Sequence, residues 1–187
     1  MQSNLSAILI VRRGWQTGWG TLFMGLGTKI LVVGCSGSGK STLARELGVR
    51  TGLPVVHLDN LFWRIDGTHV SAEEFDRRLD EVLSQDALIL DGDFSRTYER
   101  RIATADTVIL LDYPEEVCLA GIAGRVGKVR PDIPWVEREL DPALVAHVRA
   151  WRSKTRPRLL ELLAKYPHKQ VFVLRSREEA AMWLGSL

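Results

Sequence analysis

The residues best equipped for chemistry are Gly34-Cys35-Ser36-Gly37-Ser38-Gly39-Lys40-Ser41, which match the spacing G-x-x-x-x-G-K-[ST]. Glycines at 34, 37 and 39 let successive backbone N–H groups turn toward one anion, and a helix beginning near Ser41 adds the positive end of its dipole. Such a loop binds phosphate. In it Lys40 supplies a fixed charge for the β- and γ-phosphates, Ser41 offers a hydroxyl ligand to Mg²⁺, and Thr42 lies near the α-phosphate. ATP and Mg²⁺ are therefore the expected cofactors. The alternative, a chance glycine turn between a strand and a helix, leaves the lysine and hydroxyl unexplained.

In an open parallel sheet, ligands sit beyond the carboxyl ends of the strands, so polar residues just after apolar runs matter most. Three runs end in acid: Val55-Val56-His57-Leu58 before Asp59, Ala87-Leu88-Ile89-Leu90 before Asp91, and Val108-Ile109-Leu110-Leu111 before Asp112. Asp91 fits the acid that holds magnesium beside a phosphate loop. Asp59 is either a base or orienting group for an acceptor hydroxyl or a helix cap, and Asp93 is a second candidate for that work. Asp112, ahead of Tyr113-Pro114, reads as a cap, and His57 as a buried or supporting histidine.

Phosphoryl transfer between anions needs cations on both sides of the moving group. Arg96 follows the Asp91-Gly92-Asp93-Phe94-Ser95 turn and is the candidate for holding an acidic acceptor. Arg125, Lys128 and Arg130 lie in a short glycine-bearing segment suited to a mobile lid. Arg149, Arg152 and Arg156 share one face of a helix by spacing, where a solvated basic face is the plain alternative. Arg175, after the last strand, could stack on the base, or the same loop could simply be a helix cap made by Ser176. Phe62, Trp63 and Trp135 flank these loops as acceptor contacts or as packing.

The elements that must position these groups alternate short apolar runs with longer amphipathic ones, the pattern of βαβ units. Strands are expected at 30–34, 55–58, 87–91, 107–112 and 170–175, and helices at 40–51, 72–85, 98–104, 114–123, 142–165 and 178–187. Pro157 should kink the longest helix. Residues 1–28 read as an N-terminal extension, with Met24 as the natural start, ahead of a domain over 29–187 whose lid spans about 124–135.

Composition narrows the class. Of 187 residues, 45% are hydrophobic and 26% charged, and no apolar run is long enough to cross a bilayer, so no membrane partner is expected. Two cysteines, Cys35 and Cys118, indicate no disulfide framework and suit a reducing, cytoplasmic setting. The net charge of +2 comes from Arg12 and Arg13 in an acid-free N-terminal stretch, so the remaining chain is neutral and lacks a basic nucleic-acid footprint.

Taken together, the chain resembles the adenylate kinase-related P-loop proteins of the DNA topology modulation protein family. The resemblance rests on the phosphate loop through Thr42, on His57-Leu58-Asp59 with Leu61-Phe62-Trp63, and on Asp91-Gly92-Asp93-Phe94-Ser95-Arg96-Thr97. It extends to Arg130-Pro131-Asp132, Arg156-Pro157-Arg158 and Leu174-Arg175-Ser176-Arg177. It implies a three-layer α/β P-loop NTPase fold of nucleoside monophosphate kinase type, with a five-stranded parallel sheet, the first strand central, and a short lid over Mg-ATP. The 91–97 turn is similar to the adenylate kinase Asp-Gly-Phe-Pro-Arg-Thr turn, whose arginine binds the monophosphate, but is one residue longer and lacks the proline. The expected activity is phosphoryl transfer from ATP to a nucleoside monophosphate or small metabolite by a monomer or weak dimer. An ATP-driven switch or ATPase affecting DNA topology is the alternative, in which nucleic acid would be a partner.

Overall fold

A computed structural model describes residues 25–187. The extension up to residue 24, and with it the reading of Met24 as the start, lies outside the described residues. Residues 25–28, counted with the extension on sequence grounds, are anchored to the domain. Leu26 is buried, its carbonyl accepts a hydrogen bond from Thr107 Oγ1, and the Thr28 and Lys29 amides donate to Asp106 Oδ2 at 2.8 and 2.9 Å.

Five strands form one parallel sheet: β1 (Lys29–Gly34), β2 (Val55–His57), β3 (Leu88–Asp91), β4 (Thr107–Leu111) and β5 (Gln170–Leu174), in the order β2-β3-β1-β4-β5. Helices cover both sides, so the three inner strands are buried on both faces, and this is why they read as unbroken Ile, Leu and Val runs. Each such side chain contributes about 1.5–3 kcal/mol of burial. The edge strands β2 and β5 are only half-buried. β2 ends at His57, one residue early, because Leu58 turns under Gly92, where a Cβ would come within 2.7 Å of it. A short helix, α2 (Leu58–Phe62), starts there, and Asp59 sits in its first turn rather than at a strand end.

Helix α1 (Lys40–Thr51) follows the phosphate loop and packs on β1, β2 and β3. Helix α3 (Ala72–Leu83) buries Phe75, Leu79 and Val82, spaced at i, i+4 and i+7, and is capped by Ser71, whose hydroxyl accepts from the Glu74 amide at 3.2 Å. A 3₁₀ turn at Ser95–Thr97 leads into α4 (Tyr98–Thr104), and α5 (Glu115–Ala123) follows β4. An irregular segment, residues 124–141, follows α5 and contains the 124–135 stretch expected as a lid.

The long helix breaks where Pro157 requires. Helix α6 (Pro142–Ala150) passes through a π-helical turn, Trp151–Thr155, into α7 (Arg156–Ala164). The Arg156 amide reaches back to Trp151 O, and Pro157 can donate nothing. The extra residue shifts the phase, so the three arginines do not act as one face. Arg149 is exposed, Arg152 donates to Tyr113 O at 3.4 Å, and Arg156 clasps Asp112 through two bonds of 2.7 Å. Asp112 is thus a buried ion-pair partner, and Pro114 takes the cap position of α5. The chain ends with α8 (Arg177–Gly185), capped by Ser176, whose hydroxyl accepts from the Glu179 amide at 3.1 Å.

Candidate functional site

The end of the central strand supplies the phosphate loop. Gly37 and Gly39 take φ of 84° and 95°, a region that disfavours side chains. The loop is seated on α5 through a glycine pair: a Cβ on Gly37 would lie 2.1 Å from Cys118 O, and one on Gly121 would lie 2.0 Å from Gly37 O. Gly121 carried no signal in the sequence beyond being a glycine in a helix. Lys40 is nearly buried and folds back so that Nζ donates to Cys35 O at 2.9 Å. Ser36, Gly37, Gly39, Lys40, Ser41 and Thr42 line a cleft of about 1150 Å³. Gly34 and Ser38 lie behind this surface, and the buried Ser38 hydroxyl has no partner. Cys35 and Cys118 pack beneath it, Cys35 Sγ donates to Val148 O at 3.9 Å, and the neighbouring Cys118 thiol together with burial pushes the Cys35 thiol well above its ordinary value.

Sheet register then places the acids. His57 on β2 stands opposite Asp91 on β3, and His57 Nδ1 lies 2.8 Å from Asp91 Oδ2. The other oxygen, Asp91 Oδ1, is buried without any partner. A buried unpaired carboxylate oxygen beside a phosphate loop is a costly arrangement for a polar group with nothing to bind, and it fits a cation site. Ser41 and Asp91 are accordingly the residues that fit Mg²⁺, and the positive-φ glycines with Lys40 fit a polyphosphate.

Asp59 lines the same cleft from α2. Its carboxyl is pushed up to about 6 by burial first and by the charge of Asp91 second, with Lys40 and Arg125 pulling the other way. Asp93 also faces the cleft. It accepts hydrogen bonds from the Tyr98 hydroxyl and from Trp151 Nε1 at 3.4 Å, with His147 Nε2 at 3.2 Å. Burial pushes the Asp93 carboxyl up, but the His147 contact, the Lys40 charge and the Tyr98 hydroxyl outweigh it and hold the carboxyl below its ordinary value. Neither Tyr98, His147 nor Trp151 was singled out by sequence reasoning, since their convergence on Asp93 joins α4 and α6 across the fold.

Arg125 and Arg130 line the cleft from the irregular segment 124–141, each already holding a carboxylate. Arg125 Nη2 donates to Glu137 Oε1 at 2.8 Å, and Arg130 donates to Asp132 Oδ2 at 3.0 Å and to Glu137 Oε2 at 3.2 Å. Burial lowers the Arg125 guanidinium, partly offset by Glu137. Glu137 and Asp132, which the sequence did not single out as site residues, are thus the partners of these arginines. Trp63 and Trp135 line the cleft with their rings edge to face at 4.9 Å, while Phe62 packs on Phe75 and Phe94 instead.

Two nominated residues lie elsewhere. Arg96 is outside the cleft lining and forms a bidentate pair with Asp76 of α3, at 2.9 Å for both bonds. Arg175 is also outside the lining, and Arg177, the first residue of α8, faces the cleft in its place. The turn that carried Arg96 is held by a residue the sequence did not flag. Arg101, fully buried on α4, donates to the carbonyls of Gly92, Asp93 and Phe94 at 2.9, 2.7 and 3.1 Å. Burial lowers its guanidinium to about 10. That clamp maintains Phe94 at φ of 20°, a sparsely populated conformation at the rim of the cleft.

No family model and no curated relative matches the sequence. Solved structures do match in fold. A shikimate kinase from Acinetobacter baumannii in complex with shikimate aligns with a TM-score of 0.59 and 19% identity, over 86% of this chain and 90% of that one. A shikimate kinase from Bacteroides thetaiotaomicron gives 0.54 at 16% identity, over 85% and 95%. A sugar kinase from Janibacter sp., unliganded, gives 0.54 at 22% identity, over 86% and 91%. The chain has the three-layer P-loop NTPase fold that these kinases share, with a five-stranded parallel sheet and helices on both sides. Among the described residues no helix is long and apolar enough to cross a membrane.

Proposed function

We propose that the chain transfers the γ-phosphoryl group of Mg-ATP to a hydroxyl of a small acceptor. One observation carries this reading: a single cleft holds the phosphate loop at the end of β1, Asp91 with its unpaired Oδ1 at the end of β3, and the Asp59 carboxylate beyond β2. A nucleotide on one side and an acceptor on the other would meet between Lys40 and Asp59. Kinases of the same fold among the solved structures support it.

The amides of the loop and the start of α1 receive the phosphates. Lys40, released from Cys35 O, neutralises charge that builds on the transferring group. Magnesium, held by Ser41 and Asp91, supplies further charge neutralisation when bound. His57 fixes the orientation of Asp91, as a partner to a ligating carboxylate does. Asp59, ionised at neutral pH although raised to about 6, accepts the proton of the acceptor hydroxyl as the new P–O bond forms and the β–γ bridging bond breaks. Arg125 and Arg130 exchange Glu137 and Asp132 for phosphate oxygens when the lid closes, which excludes water.

Of the motifs that resemble the DNA topology modulation proteins, the phosphate loop, Asp59, Asp91, Asp93 and Arg130-Pro131-Asp132 line this cleft, and the kinase reading accounts for these without nucleic acid. The test is ADP release with Mg-ATP alone and with a panel of hydroxylated acceptors. Stimulation by an acceptor, lost in Lys40→Ala, supports a kinase. ADP release that ignores every acceptor contradicts it and points to an ATPase.

A further inference from the structure

The geometry points to an acceptor without negative charge, a neutral or amino-substituted polyhydroxylated molecule of the sugar type, bound among Asp59, Asp93, Trp63 and Trp135. This rests on the kinase reading and narrows its acceptor.

An anionic acceptor, such as a nucleoside monophosphate or a hydroxylated carboxylic acid, needs a free cation at the acceptor end of the cleft. The arginines around that end are engaged internally. Arg96 is paired in bidentate fashion with Asp76, Arg78 donates to Glu74 Oε1 at 2.7 Å and Leu61 O at 3.1 Å, and neither lines the cleft. Arg101 is consumed by loop carbonyls, and Arg156 by Asp112. The arginines and lysines that do line the cleft lie on the phosphate loop, α1, the 124–141 segment and the start of α8, and none lies on α2, α3 or the 91–97 turn that carry Asp59 and Asp93; His147 of α6 faces this end with its ring held against Asp93.

The groups left for the acceptor are acids and aromatics. Asp93 has 12% of its side chain exposed, into the cleft, and its donors Tyr98 and Trp151 keep its oxygens in place. Asp59 faces the same cleft from the first turn of α2. A phosphate or carboxylate brought beside these groups would meet like charge. Carboxylates accept from hydroxyls and ammonium groups instead, so a polyol or amino sugar would satisfy both of them. The Trp63 and Trp135 rings offer the apolar faces on which the C–H face of a sugar ring, or an ammonium group, can rest.

The experiment measures Mg-ATP-dependent phosphorylation by the full chain of three acceptor sets: neutral sugars and cyclitols, amino sugars, and anionic acceptors comprising nucleoside monophosphates and shikimate. We expect the neutral and amino sets to contain the acceptors, with kcat/KM at least about 100-fold above any anionic one. Asp93→Asn should raise the KM for an amino sugar about tenfold or more, change the KM for its neutral counterpart less, and leave the KM for ATP in place. A nucleoside monophosphate or shikimate as the preferred acceptor overturns the inference while the kinase reading stands. Failure of all three sets, with ATP bound, removes the kinase reading and the inference with it. The comparison of acceptor sets uses the unaltered protein, so it decides the matter even if Asp93→Asn does not fold.

Discussion

Asp59→Asn should make the protein more stable and less active, and the pH dependence of the gain is fixed by the site. The Asp59 carboxyl is raised from 3.8 to about 6 because burial and Asp91 disfavour its charge. The folded chain therefore binds that proton more tightly than the unfolded chain does. Wild-type stability falls as pH climbs from 3.8 to about 6, and the full cost persists above it. At about 1.4 kcal/mol per pKa unit this amounts to about 3 kcal/mol, and water in the open cleft screens it to an expected gain of about 1–2 kcal/mol in the amide variant. For a chain of this size that is about 3–6 °C in Tm. Paired thermal and urea unfolding of both proteins between about pH 5 and pH 8, without nucleotide, measures it. The difference should be full above neutrality and shrink toward acid, while phosphoryl transfer falls about 10²–10⁴-fold through loss of the base. Equal stability at neutral pH, or a gain that does not change with pH, would refute the reasoning about a strained buried carboxylate.

Three further outcomes follow from contacts around the cleft. His57→Ala removes the 2.8 Å support of Asp91, and the magnesium concentration needed for half-maximal ADP formation should rise about 10- to 100-fold. Gly37→Ala places a methyl 2.1 Å from Cys118 O at a φ of 84°, so melting should show a loss of about 2 kcal/mol or more, accompanied by lost ATP binding. Glu137→Gln takes the competing charge away from Arg125 and Arg130, and ATP titration should show affinity rising about three- to tenfold, with a steeper dependence on salt.

Much of the fold was legible because its signals are local. The phosphate loop, the apolar strands on either side of it and the helix 40–51 each announce themselves over a dozen residues, and α1 and α4 have the expected bounds. Pro157 marked the break in the long helix for a reason contained in one residue. What escaped was the outcome of distant pairing. Helix α2 is five residues long, too short to show a period, and it exists because Leu58 fills the space that Gly92 leaves open. Arg96 looked like an acceptor ligand because it follows Asp91-Gly92-Asp93, but α3 brings Asp76 against it from 20 residues away. Arg156 met Asp112 across 44 residues, which turned a presumed cap into an ion pair. The expected lid was read from the cations and glycines of a short basic segment, and Glu137 and Asp132, ordinary acids in sequence, set the charge that Arg125 and Arg130 carry into the cleft.

The central claim is that the γ-phosphoryl group leaves ATP for an organic hydroxyl. ATP labelled on that group, incubated with magnesium and each acceptor set, tests it directly, with Lys40→Ala as the blank. The account predicts label in an acid-stable organic phosphate, dependent on Lys40 and accompanied by equal ADP. Label appearing as inorganic phosphate alone, at a rate indifferent to acceptor, would contradict it.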